Sequence, residues 1–457
     1  MKKSLFLIFF VLFSYFLFSD ESHYINIFVG DRAASMGGAY TAVADGPEGV
    51  FYNPAGLAFS SSRYFSLSVN AVQFKMLKYN NVFKKTDGTP LDYTRYSFSF
   101  IPNFFGFIQK EKHFTFAITI TSPDSEFYDQ RDNAQIYFPG TNIKTNFNTN
   151  FNYTNMLYEG GVSFAFLPHK RVSLGFSALI RYRDIKLISQ TTYKSDSSEK
   201  SYDIYDSGSI FNNDRIIGLN SQFGIQIMPI DKLSIGYSIS VPVDFVNIYS
   251  KQSSRFTKRT DLSSDGKTYI LTHDSSEVVN NEQKVDYIFQ KDNNLFRPII
   301  IKQSLGFAIF VTKSILITID GFLYIPIQDI KYYNNKAFEN QRLNIIGNVS
   351  TGFECYVTPN FPIRLGFFTN FSNAKEIKIT GKYEDGKKIS NTVNQEDYIH
   401  LFGGSFSLGY SSSNLSINFG GVFSGGEGYA QIAANLQEVQ VLDAFLFNVF
   451  ISGGYQF

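Results

Sequence analysis

Residues 232–241 read KLSIGYSISV. Leu233, Ile235, Tyr237, Ile239 and Val241 fall on one side of an extended chain, with Ser234, Gly236, Ser238 and Ser240 on the other. Successive side chains of a strand point to opposite faces, so this is a period of two with one apolar face and one polar or tiny face. The preceding run repeats it, with Ile217, Leu219, Phe223, Ile225 and Ile227 against Gly218, Asn220, Gln222, Gly224 and Gln226. The same alternation returns at Phe114, Phe116, Ile118 and Ile120, at Val172, Leu174, Phe176 and Ile180, and at Leu415, Ile417, Phe419 and Phe423.

A soluble β-sandwich also alternates, so the connections decide between the two. Very short ones, Gln109-Lys110-Glu111, Pro168-His169-Lys170, Pro229-Ile230-Asp231, Thr312-Lys313, Pro359-Asn360-Phe361 and Ser411-Ser412-Ser413, take turns with long polar ones. The long ones are expected near 80–92, 125–155, 188–213, 248–295, 327–341, 374–396 and 425–440. Short turns at one end and long loops at the other is the layout of an outer-membrane barrel, whose antiparallel strands are even in number. The pattern predicts an all-β transmembrane barrel of about fourteen strands over residues 63–457. Their starts are expected near residues 63, 93, 112, 156, 171, 214, 232, 296, 314, 342, 361, 397, 414 and 441.

Composition points the same way. Among 457 residues there are 49 Phe and 29 Tyr with no Trp, and aromatic residues favour strands. A formal charge of +1 gives no field to hold nucleic acid. Residues 1–19, MKKSLFLIFFVLFSYFLFS, join a basic start at Lys2 and Lys3 to an apolar run from Leu5 to Phe18. That run is short of the ~20 residues a spanning helix needs, so it reads as a secretory signal peptide. Beyond it no apolar run is long enough to span as a helix, which leaves the barrel as the means of insertion. Cys355 is the single cysteine, so the exported chain has no intrachain disulfide framework. Val449, Ile451, Tyr455 and the terminal Phe457 share a face of the last strand, which must close the barrel against the first. A terminal aromatic of this kind resembles the signal that barrels of a diderm outer membrane present to their assembly machinery.

Residues 20–62 do not read as wall. GDRAASMGGAYTAVADGPEGVFYNPAGLAF, residues 30–59, is too rich in Gly and Ala for a strand, and Asn53-Pro54 imposes an extended or turn conformation. Gly30, Gly37, Gly38, Ala39 and Ala42 would let its backbone lie close to a lumen wall. Gly37-Gly38-Ala39-Tyr40, then Ala42 and Ala44-Asp45, then Asn53-Pro54-Ala55, resembles the N-terminal signature of the FadL/TodX superfamily of outer-membrane transporters for long-chain fatty acids and other hydrophobic compounds. The form Arg32-Ala33-Ala34-Ser35-Met36-Gly37-Gly38-Ala39 with NPAGLA is similar to the PorV-like branch, some of whose members serve protein secretion. The resemblance implies a hatch at residues 20–62 plugging a fourteen-stranded barrel. It also implies passive movement of fatty acid-like molecules through a lateral opening made by a kinked strand. Pro123 in ITITSPDSEF is the candidate for that interruption, the simpler reading being that it ends the strand. The alternative function is a PorV-like partnership with secreted or surface proteins. A water-filled porin is disfavoured by the plug-like segment.

Parity turns Arg181, Arg183, Arg364, Glu159 and Glu354 to the polar face, since a charge on the lipid face costs ~2–4 kcal/mol at midplane. Arg181, Arg183 and Arg364 are therefore candidate lumen contacts for a carboxylate headgroup, the other account being an Arg–Glu network filling the lumen. Nothing suggests an enzyme. His23, His113, His169, His273 and His400 show no metal-ligand spacing, no GxSxG elbow accompanies His400, and no phosphate-cradling glycine motif or cofactor signature is present. The expected partners are hydrophobic small molecules, outer-membrane lipid and the assembly machinery, with secreted proteins under the PorV-like alternative.

Overall fold

The structure, a computed structural model, describes residues 23–60, 63–112, 114–137, 144–195, 202–263, 269–283, 286–287, 299–327, 343–382, 386–393, 395–432 and 437–457. The leader at 1–19 lies outside them. Fourteen strands of the described residues form one closed antiparallel wall. They are β1 (Arg63–Lys84), β2 (Pro90–Lys110), β3 (Phe114–Tyr137), β4 (Lys144–His169), β5 (Val172–Ser195), β6 (Tyr202–Ile230) and β7 (Leu233–Ser263) in the first half. The second half is β8 (Ile300–Phe310), β9 (Ile315–Pro326), β10 (Ile346–Thr358), β11 (Phe361–Asn370), β12 (Leu401–Ser411), β13 (Leu415–Ala430) and β14 (Glu438–Gln456). Closure is by β14 on β1, from Tyr64 opposite Gln456 to Tyr79 opposite Leu442, as the last-strand pattern predicts.

The apolar face of each strand points outward through the lower wall. Phe114, Ile118 and Ile120 are exposed while Thr115, Ala117, Thr119 and Thr121 between them are buried, and Phe164, Phe176, Phe223, Phe307 and Phe419 repeat the arrangement. A wall with apolar side chains out and small polar ones in is stable only if the surroundings are lipid. Toward the ends away from the short turns the polarity reverses. In β4, Phe147, Phe151 and Tyr153 are buried inward, while Asn148 faces solvent. Leu77 and Tyr79 of β1, Ile185 and Leu187 of β5 and Leu442 of β14 join them in an aromatic-rich cluster filling the upper lumen. The reversal marks where the wall leaves the bilayer, because in water the apolar face must turn inside.

Strand extent corrects the expected loops. Much of 125–155 and 188–213 is continued strand, so β4 begins at Lys144 and β6 at Tyr202, each twelve residues before the expected start. Residues 248–263 and 269–283 likewise pair as strands, and 374–396 holds a small hairpin of Ile379–Lys382 and Lys388–Ser390. The wall is therefore uneven. β3 to β7 run 24 to 31 residues, and β8 to β12 only 10 to 13.

One seam of the wall is incomplete. The β2–β3 ladder runs only from Lys110 opposite Thr115 to Phe104 opposite Thr121. Past that level β2 continues paired to β1 alone, and β3 paired to β4 alone. Pro123 lies at the break, in a register shift between Thr121 and Asp124. It does not end β3, which continues to Tyr137; a proline lacks the donor the ladder needs and the bulge bends the strand away. Farther out, the Gln130 side chain donates to Thr94 O at 2.6 Å and accepts from Tyr96 N at 3.3 Å, and Lys85 bridges Ile136.

Candidate functional site

Residues 23–60 lie inside the wall and meet its short-turn end at Ser60, whose carbonyl accepts from Lys110 Nζ at 2.9 Å. Their regular pieces are brief: α1 (Asp31–Ser35), α2 (Gly49–Tyr52) and a 3₁₀ turn at Pro54–Phe59. Irregular backbone surrounded by a membrane wall must find hydrogen-bond partners inside that wall. It does so through inward polar residues. Ser234 Oγ donates to Ala42 O (2.7 Å), Gln222 Nε2 and Ser238 Oγ to Tyr52 O (2.9 and 2.7 Å), and Ser177 Oγ to Val50 O (3.0 Å). Thr41 N donates to Asp320 Oδ2 at 2.7 Å, and Gly37 N to Ser405 Oγ at 2.9 Å.

Close approach is arranged by paired glycines in the wall. Gly175 is registered with Gly224, and a Cβ on either would collide with Asn53, Pro54 or Ala55. Gly236 is registered with Gly306, and a Cβ there would meet Thr41 or Ala42. Sequence reading placed Gly224 and Gly236 on the polar face only as small residues and did not single out their partners Gly175 and Gly306. Within the segment, Gly37 and Gly38 have φ of 62° and 84°, which side chains rarely adopt. Ala39 and Tyr40 follow them, both fully buried.

Asn53 sits at the centre of this packing. Its Nδ2 donates to Thr41 O (2.8 Å) and, across to the wall, to Ile225 O (3.2 Å), while its Oδ1 accepts from Ala55 N (3.1 Å). It is thus the N-cap of the 3₁₀ turn, with Pro54 in the first-turn position where a missing N–H costs nothing. Arg32 grips Glu354 of β10 with two hydrogen bonds, 3.0 and 2.9 Å, and reaches Asp45 at 2.7 Å. Glu48 is buried in the segment; burial first, and the Asp31 charge second, push its carboxyl up to about 7.

Above this floor lies a cavity of about 230 Å³, bounded by Tyr24, Phe51, Pro123, Arg181, Lys302 and Tyr324 among others. Arg181 and Arg183 both line it, each already engaged. Arg181 pairs with Glu159 (2.5 Å) and Asp244 (3.0 Å), and Arg183 with Asp124 (3.0 Å) and Asn155 (2.8 Å). Arg364 lies elsewhere, held by Glu354 at 2.6 Å and Asn418 at 2.7 Å. The geometry at all three is that of an internal charge network.

Lys302 differs. Its ammonium stands 5.1 to 5.9 Å from the ring centres of Phe51, Tyr52, Phe322 and Tyr324 and has no hydrogen-bond or ion-pair partner among the described residues. Asp320 and Glu159 act on it only through space. A cation held by aromatic faces keeps its charge available to an incoming anion. Sequence reading passed over Lys302, although it shares the inward parity of Ser304, Gly306 and Ala308. Among the described residues no group of His, Cys, Asp and Glu is placed to hold a metal ion.

No protein-family model and no curated protein sequence matches the chain. Solved structures do. A Pseudomonas aeruginosa FadL homologue superposes with TM-score 0.58 at 12 % identity, over 95 % of this chain and 99 % of that one. The toluene transporter TodX of P. putida gives 0.58 at 10 % identity over 96 % and 99 %, and the CymD monoaromatic hydrocarbon channel 0.52 at 10 % over 94 % and 97 %. At such identities the likeness is one of fold, a barrel type known from transporters and channels.

Proposed function

We infer that this chain, an outer-membrane barrel of the FadL/TodX fold, passes amphipathic hydrophobic molecules with an anionic head, such as long-chain fatty acids, from its lumen sideways into the membrane. The observation that carries the reading is the interrupted β2–β3 ladder beside a cavity whose floor is occupied by residues 23–60. Passage straight down meets the hatch formed by that segment, with Gly37, Gly38, Ala39, Tyr40, Asn53, Pro54 and Ala55 as its packing and turn residues. The wall beside Pro123 is the way out that breaks no backbone ladder. Lys302 supplies the headgroup contact, because Arg181 and Arg183 are already paired. The rings around Lys302, with Ile300 and Leu343 also on the cavity, suit the start of an acyl chain. Transport is passive, with no cofactor.

The test is uptake of labelled oleate into vesicles, or into a host lacking its own fatty-acid transporter. Lys302→Met should lower oleate uptake about tenfold, the loss of one charge-assisted contact, and leave oleyl alcohol nearly unchanged. A folded barrel that moves no hydrophobic compound and instead co-purifies with secreted or surface proteins would replace this reading with the PorV-like role.

A further inference from the structure

The β2–β3 break is spanned on its lumen side. Lys75 of β1 and Glu126 of β3 form an ion pair whose side chains are each only 5 % exposed, with β2 lying between their strands. Lys75 is registered with Ser97, in the part of β2 that has no ladder to β3. Glu126 follows Pro123 and Asp124, both of which line the cavity. Ser97, Ser122 and Ser125 are buried along the same unladdered edges, small enough for a chain to slide past.

The geometry points to a latch: Lys75–Glu126 holds the break shut, and an anionic amphiphile leaving the cavity opens it by exchanging its own carboxylate for that of Glu126 on the Lys75 ammonium. Opening the seam with nothing in return would part a buried ion pair, so the wall stays closed at rest. A ligand that brings its own carboxylate re-pairs the ammonium, and Glu126 is left beside the polar serine edge. A neutral hydrophobe offers no such exchange, so the latch discriminates at the exit by differential interaction with the open wall. Lys302 and Lys75 then act in succession, the first in the cavity and the second in the seam. This inference rests on the anionic head assigned under the proposed function.

The experiment reads the seam without relying on transport. In a Cys355→Ser background, Ser97→Cys is labelled by a lipid-soluble maleimide in liposomes. Labelling should be slow, rise about fivefold on adding oleate, and not respond to oleyl alcohol. Glu126→Gln should raise the oleate-free rate by a similar factor, and Lys75→Glu with Glu126→Lys should return it to the slow value, all in barrels showing heat-modifiable gel migration. Equal acceleration by oleate and oleyl alcohol, or labelling of a folded Glu126→Gln at the parent rate, overturns the latch. The oleate response uses the intact pair, so it decides the matter even if a latch variant does not assemble. Fast labelling of Glu126→Gln in a barrel that carries no fatty acid would sink the proposed substrate and leave the latch standing for another anionic passenger.

Discussion

Asn53 shows how much one side chain can hold. Replacing it by alanine removes three hydrogen bonds and leaves the buried Thr41 carbonyl without its side-chain donor, a loss of about 1–3 kcal/mol localised to residues 23–60. Amide exchange over residues 37–58 should accelerate in Asn53→Ala while the wall retains its protection. Glu48 makes the same segment sensitive to pH. Its bound-state pKa of about 7 lies above the ordinary carboxyl value, so from about pH 4.5 to 7 the docked segment holds a proton that the undocked one has released. Docking is therefore strongest below that window and weakens as pH rises through it, with Asp31 opposing and Arg32 assisting the charged form. Glu48→Gln should remove the difference in protease resistance of the segment between pH 5 and pH 8. Parity alone turned Arg181, Arg183 and Arg364 inward, but no one-dimensional pattern says which inward cation already has a carboxylate. That depends on register across three or four strands, which is why Lys302 went unseen.

At the scale of elements, the lipid-facing halves of strands were legible and their outer halves were not. In β4, FAF at 164–166 alternates as a membrane strand should, whereas TNFNTNFNY at 145–153 puts its aromatics in the opposite phase and its asparagines outward. Outside the bilayer nothing selects an apolar exterior, so polar strand and polar loop look alike in sequence. Loop length was consequently overestimated at the end away from the short turns. Protease added to intact cells should cut at exposed connections of that end, such as Lys84 and Lys85 ahead of Gly88, and spare the turns near 170, 231 and 412. Cleavage only at the latter would invert the orientation. The glycine pairs are also an element-scale device. Gly236→Val should leave a heat-modifiable barrel but expel the N-terminal segment at Thr41, seen as new protease cleavage between residues 30 and 60, because backbone there cannot yield to a Cβ.

Taken whole, the lumen is occupied at two heights, by the aromatic cluster above and residues 23–60 below. In planar bilayers the folded protein should carry no steady ion current of the kind an open porin gives, and a persistent large conductance would contradict that. The uneven wall adds something further. At about 3.3 Å per residue and a tilt of roughly 40°, the 24 residues of β5 rise ~60 Å, whereas the 10 of β11 rise ~25 Å, hardly more than the apolar band. The shortest strands, β8 to β12, centre on β10, on the far side of a ring of fourteen from the β2–β3 seam. The molecule thus has a compass bearing as well as an up and a down. Seen from the end away from the short turns, short strands stand on one edge and the interrupted seam on the opposite edge. On the route proposed above, a molecule gathered over the short strands and shed at the seam crosses the protein's width and reaches lipid on the other side from where it was gathered.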